Sequence, residues 1–211
     1  MAISESDDSS ETWLEIAATA GSVFLNFGRL ECSLSFELRR HLESHLRSQD
    51  DDLKGFRLAS AIYGGMRFKD SSAMVKRIAE QEHYPSDALA YLTDFFGHIG
   101  HIAALRDKLA HQVVMPAIGG PNGTLHIIDA FNIRNPMGYK RYEITTKEMA
   151  YAAVDLKTAS KVLQAHPLTL KGGRKQLDLT PVPWRYKSSM LKLVRRKTAT
   201  SPTEHQLQPQ S

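Results

Sequence analysis

Apolar residues recur at three- and four-residue intervals through the first quarter of the chain: Trp13, Ile16, Ala17, Ala20, Phe24, Phe27, Leu30, Leu34 and Leu38. That spacing keeps one face apolar on a 3.6-residue period and predicts a long amphipathic helix ending near Ser48, before Asp50-Asp51-Asp52. Gly28 marks a bend in it. Residues 56–68 and 73–82 read as two shorter helices, parted by Gly64-Gly65 and by a cap at Ser71 or Ser72. The strongest pattern follows His83-Tyr84-Pro85. Ser86 is a candidate N-cap, Asp87 suits a first turn, and apolar periodicity continues to Leu109.

Pro116 and Gly119-Gly120-Pro121-Asn122-Gly123 end that helix, and the period then changes. Residues 125–131 and 139–144 read as two short strands around Asn135-Pro136-Met137-Gly138. Thr145 with Glu148 forms a capping box that opens a last helix, with a stripe of Met149, Ala152, Ala153, Leu156 and Leu163 and an end near His166-Pro167. The expected architecture is mainly α, a bundle of four or five helices with a small β-hairpin inserted before the last one. No internal repeat is visible. Residues 1–11 read as a disordered N-terminus, 12–166 as the helical domain, and 167–211 as a basic, flexible tail rich in Pro, Gln and Ser.

Composition narrows the class. A chain of 211 residues, 42% hydrophobic and 24% charged, suits one globular domain. No run approaches the ~18 apolar residues of a membrane span, and the acidic, serine-rich start lacks the regions of a secretory signal. The one cysteine, Cys32, leaves no internal disulfide and fits a reducing compartment, so a cytoplasmic, membrane-free protein is expected. Cys32 lies among Leu30, Leu34 and Leu38 and reads as a packing residue. The net charge of +4 is unevenly spread: residues 1–170 hold 18 Lys+Arg against 21 Asp+Glu, and residues 171–211 hold 9 against 2. The basic tail, from Lys171 to Arg195-Arg196-Lys197, is either a solvated terminus or a contact for nucleic-acid phosphates.

The candidate chemistry lies at the end of the best-defined helix, in Arg106-Asp107-Lys108-Leu109-Ala110-His111. At 100° per residue Arg106 falls on the face shared by Leu92, Phe95, Ile99 and Ile102, where its guanidinium must find a partner or line a cleft. His111 sits in the last turn, where the helix dipole favours its protonated form. Asp107 is one turn before His111 and within reach of its ring. Arginine fixes phosphate oxygens and histidine moves protons near neutral pH, so the pair suits phosphodiester chemistry. Spacing alone is weak, because roughly 0.6 such Arg-to-His pairs are expected by chance in a chain of this composition. A second match, Arg40 with His45, points to the solvent side of the first helix.

The segment Leu105-Arg106-Asp107-Lys108-Leu109-Ala110-His111-Gln112 resembles the signature of the HEPN superfamily, the higher eukaryotes and prokaryotes nucleotide-binding domain. That signature is an Arg, a following Asn, His or Asp, and a His four to six residues on, near the end of a bundle helix. Gly28-Arg29-Leu30-Glu31, Tyr63-Gly64-Gly65-Met66-Arg67-Phe68, the hairpin and the capped last helix resemble the layout of bacterial members over residues 12–166. Asp107 departs from the commoner Asn. The resemblance implies a homodimer whose two Arg-to-His helices meet across a symmetric cleft. It also implies a metal-independent endoribonuclease, of the kind found in toxin–antitoxin systems and phage defence, acting on single-stranded RNA and held by an antitoxin or regulatory partner. In that scheme the ribose 2′-hydroxyl attacks the adjacent phosphate, with one His111 as base and its symmetry mate as acid. Arg106 stabilises the transition state, and Asp107 orients the histidine.

Two other readings stand beside it. One is a non-catalytic module of the same type that dimerises and binds a partner or nucleotide; the other is a helical nucleic-acid-binding regulator using its tail. No cofactor signature occurs: there is no phosphate-binding glycine loop with its lysine, no nucleophile elbow and no CxxC pair. No metal site is expected. His101 and His111 are ~15 Å apart along one helix, and His98 and His101, read as exposed polar residues, lack a third ligand.

Overall fold

The computed structural model describes residues 5–46, 57, 61–62, 65–117, 123–129, 140–165 and 180–194, and in the first helix the side chains of residues 12–42. The protein is mainly helical. Helix α1 (Glu5–Leu46) runs beside α2 (Phe68–Gln81) and α3 (Ser86–His111). A four-stranded antiparallel sheet follows, in the order β1 (Val113–Pro116), β2 (Thr124–Asp129), β3 (Lys140–Thr145), β4 (Lys192–Val194). Helix α4 (Thr146–Ala165) lies between β3 and β4 in sequence and packs along α1.

The helices form where the apolar period placed them, and the core is their shared face. Ile16, Val23, Phe27, Leu30, Leu34 and Leu38 of α1 are buried against Leu92, Phe95, Ile99, Ile102 and Leu105 of α3 and the stripe Met149, Ala152, Leu156 and Leu163 of α4. The capping box of α4 is present as expected. The Thr145 backbone N–H donates to Glu148 Oε2 at 2.8 Å, and the Glu148 N–H donates to Thr145 Oγ1 at 3.2 Å. Gly123 makes the tight approach before β2: its φ is +78°, and a Cβ there would lie 2.7 Å from Thr146 Oγ1.

Several expectations need correction. Helix α1 begins at Glu5, inside the stretch read as a disordered N-terminus, because extending an existing helix is far cheaper than nucleating one. Trp13 and Ala17, placed on the apolar stripe, are exposed, and Cys32 is exposed because it stands about 200° around the helix from Leu30. Ser71 and Ser72 lie inside α2 rather than capping it, and Pro85, not Ser86, holds the N-cap position of α3. Helix α2 starts at Phe68, whose N–H donates to Glu31 Oε1 of α1 at 3.3 Å, so a carboxylate from another helix meets the positive end of its dipole. Its C-terminus closes with His83 at φ 54°. The N–H groups of His83 and Tyr84 donate to the carbonyls of Glu80 and Ala79, a Schellman closure with histidine where glycine is usual.

The expected hairpin is β2–β3, with Leu125 opposite Ile144 and Ile127 opposite Tyr142. The sheet is larger than expected. Strand β1 pairs with β2, and β4, from the segment read as a tail, pairs with β3. Residues 180–194 therefore belong to the domain, anchored by buried Tyr186 and half-buried Trp184. The turn at 135–138, most of the proposed helix over 56–68 and the basic residues Lys171 and Arg195–Lys197 lie outside the described residues.

Candidate functional site

Helix α3 delivers both Arg106 and His111 to one open groove of about 1040 Å³, walled by α1 on one side and by the start of α2 on the other. Leu105, fully buried one position before Arg106, fixes the rotation of the helix. The last turn is held against the sheet by Lys108, whose Nζ lies 4.1 Å from the centroid of the Tyr142 ring. Lys108 and His111 both stand in that turn, where positive charge complements the helix dipole.

Arg106 does what an arginine on an apolar face must. Its aliphatic stem crosses the hydrophobic seam, its guanidinium lies 5.2 Å from the centroid of the Phe27 ring, and Nη1 donates to Asp107 Oδ1 at 2.7 Å. The side chain keeps 34% of its surface in the groove, and Asp107 is more exposed still. Such an open ion pair is worth little to the fold, about 0–1 kcal/mol, and leaves guanidinium donors facing solvent. Asp107, expected beside the histidine, spends Oδ1 on Arg106 instead. Among the described residues no hydrogen bond joins it to His111, which stands exposed at the groove's edge.

The structure adds residues that spacing could not assemble. Arg39 of α1, Arg67 at the N-cap of α2 and Lys69 line the same groove, so four cations, with Arg106, face two carboxylates, Glu31 and Asp107. Nε of Arg39 is buried and makes no hydrogen bond among the described residues, an expensive state for a charged donor. The rings of Phe27, Phe36 and Phe68 form apolar walls between these charges. Glu31 and Gly65-Met66-Arg67-Phe68, quoted above from two distant segments, meet Arg106 here. Only those two segments hinted at the convergence; Arg39, Lys69 and Phe36 carried no sequence signal. Arg40 of the chance match is exposed on α1, and the His45 side chain lies outside the described residues.

The other histidines of α3 divide. His101 is exposed as expected. His98 is not: only 13% of its side chain is exposed, Nε2 lies 3.0 Å from Asp155 Oδ2, and its ring stacks on Trp184 at 4.3 Å between centroids. Asp155, buried on α4, also accepts the backbone N–H groups of Arg185, at 3.0 Å to Oδ2, and of Tyr186, at 2.8 Å. This junction holds the C-terminal segment to the bundle. Burial, and then the negative charge of Glu148, push the Tyr186 hydroxyl up to about 12. Among the described residues no three His, Cys, Asp or Glu side chains come together as metal ligands, and no helix is long and apolar enough to cross a membrane. No family profile, no curated protein and no solved structure matches this chain.

Proposed function

We propose that this groove binds the phosphodiester backbone of single-stranded RNA and cleaves it without a metal, in the manner of a HEPN-type endoribonuclease. The observation that carries the proposal is the convergence of Arg39, Arg67, Lys69 and Arg106 on one aromatic-walled groove with His111 at its edge. Cations neutralise phosphates, and the exposed ring of Phe36 offers a face on which an unpaired base stacks. Arg106 is half-free, held by a single exposed carboxylate, and presents donors to a phosphate oxygen.

In the reaction, His111 takes the proton of a ribose 2′-hydroxyl as that oxygen attacks the adjacent phosphorus. The bond to the 5′-oxygen breaks, a 2′,3′-cyclic phosphate forms, and the partner's His111, as imidazolium, gives a proton to the departing 5′-oxygen on the opposite side of the phosphorus. Arg106 stabilises the charge gathered on the phosphoryl oxygens. Asp107, hydrogen-bonded to Arg106, positions the guanidinium. A role in toxin–antitoxin exchange or phage defence, with a regulatory partner over the groove, is the biological setting consistent with such an activity.

The test is incubation of the purified protein with a single-stranded RNA in EDTA, beside the same oligonucleotide with a single 2′-deoxy substitution at the cleaved position. Cleavage to a 2′,3′-cyclic phosphate in EDTA, abolished by the substitution, is expected. Binding without cleavage of either strand would replace this reading with the non-catalytic one.

A further inference from the structure

The cations of the Arg106 groove are strung along it rather than gathered at one point. Helix α1 forms one wall and sets the scale, because each residue advances the axis by about 1.5 Å. The Arg106 guanidinium lies over the ring of Phe27. Glu31 stands four residues on, about 6 Å along the axis. Its Oε1 accepts the Phe68 N–H, which brings Arg67 and Lys69, the neighbours of Phe68, to that level. Phe36 and then Arg39 follow, about 14 Å and about 18 Å beyond Phe27.

The charges along this line differ in what they already hold. Asp107 is engaged by Arg106, and Glu31 by the start of α2. Arg67 and Lys69 are exposed in the groove, and the buried Nε of Arg39 meets no acceptor among the described residues. Phe36 leaves 61% of its surface to solvent between them. The cavity, about 1040 Å³, is as large as the largest sites that enclose one small ligand.

We propose that Lys69, Phe36 and Arg39 form a second nucleotide subsite, so that the groove takes a single strand of at least three nucleotides. One phosphate sits at Arg106. A later phosphate of the same strand sits at Arg39, and an unpaired base between them stacks on Phe36. Distance sets the length. A stacked strand advances about 3.4 Å per nucleotide, so ~18 Å takes about five stacked nucleotides, and fewer when the strand is extended. Hydrogen bonds to a phosphate oxygen span about 3 Å, so one phosphate does not bridge Arg106 and Arg39. A mononucleotide would leave one end of the groove empty, and a duplex offers no unstacked base to Phe36. Binding energy gained at the far end holds the strand while the phosphate at Arg106 reacts. The proposal rests on the groove binding RNA, as proposed above, and is independent of whether RNA is cleaved.

The experiment is binding to strands that cannot react: 2′-O-methyl UpU, which has one phosphate, and 2′-O-methyl hexauridylate. Each competes with a fluorescently labelled hexauridylate for the full chain, over a range of salt concentration. The hexamer should bind at least about thirtyfold more tightly than UpU, because only it reaches both ends. Arg39→Ala should weaken the hexamer about tenfold, lower the slope of log affinity against log salt by about 0.7, and weaken UpU far less. Lys69 is exposed, so Lys69→Ala leaves the fold intact and should act in the same sense, with circular dichroism as the check on both variants. Arg106→Ala should weaken both strands. Losses in Arg39→Ala and Lys69→Ala that are equal for UpU and hexamer, or absent for both, would overturn the second subsite; if Arg106→Ala still weakened both strands, the RNA site itself would stand. Affinities that no groove variant alters would place RNA elsewhere and overturn both readings. The length effects without cleavage of unmodified RNA would support the subsite and overturn catalysis alone.

Discussion

Two histidines on α3, His98 and His111, occupy opposite kinds of surroundings. His98 is enclosed: an aromatic ring stacks on one face, a buried carboxylate takes Nε2, and that carboxylate is itself filled by two backbone donors. His111 is exposed beside a groove where, among the described residues, Arg106 is paired with an exposed carboxylate and the buried Nε of Arg39 meets no acceptor. The first set of groups has its hydrogen-bond partners within the protein; among the described residues the second has few. Unmet capacity in a concave, cationic surface points outward to a ligand, whereas a closed network points inward to the fold. On one helix, the same residue type thus serves architecture at the middle and candidate chemistry at the C-terminal end.

Replacing Arg106 should separate these roles most sharply. Arg106→Ala is expected to lower the RNA cleavage rate by about 10²–10³, the loss typical of a group aimed at transition-state charge. It should cost at most about 1 kcal/mol of stability by urea denaturation, because its partners are an exposed carboxylate and one ring face. A large stability loss with cleavage intact would move Arg106 to the architectural class. The converse substitution is Asp155→Ala. It removes the acceptor of the buried Tyr186 N–H and the part-buried Arg185 N–H and should destabilise the fold by about 3 kcal/mol, with the rate per folded molecule unchanged.

A smaller effect tests the same junction by pH. Tyr186 in the folded protein holds its proton up to about 12, above the ordinary value near 10. Between those values the unfolded chain loses its proton and the folded chain does not, so stability should fall as pH rises through that window and be unaffected below it. Tyr186→Phe should flatten the alkaline limb of a stability–pH curve. Smallest of all, Arg40→Ala should leave cleavage nearly unchanged, since Arg40 is exposed on α1 and does not line the groove; a strong loss would mean that spacing matters more than surroundings.

How legible this was in the sequence depended on whether the signal was local. The helices, the Thr145–Glu148 cap and the β2–β3 hairpin follow from period and capping chemistry, which neighbours in sequence decide. The positions of Arg106 and His111 on one helix end were equally visible. What failed was long-range. His98 gave no sign of burial because its partners, Asp155 and Trp184, lie far along the chain. The segment 180–194 was hidden by tail-like composition on both sides, although Trp184 and Tyr186 supply the apolar anchors that dock it. Arg39, Arg67 and Lys69 come from two elements and converge only through packing.

His111 is the residue on which catalysis depends most directly in the proposed reaction. Its substitution should be judged by single-turnover cleavage of single-stranded RNA in EDTA, on protein whose helicity and oligomeric state match the wild type. His111→Ala is predicted to slow cleavage by about 10²–10⁴, the range of a positioned proton-transfer group, and the double variant with Arg106→Ala should be little slower than either single one. Cleavage by His111→Ala at the wild-type rate would contradict the catalytic reading and leave the groove a binding surface.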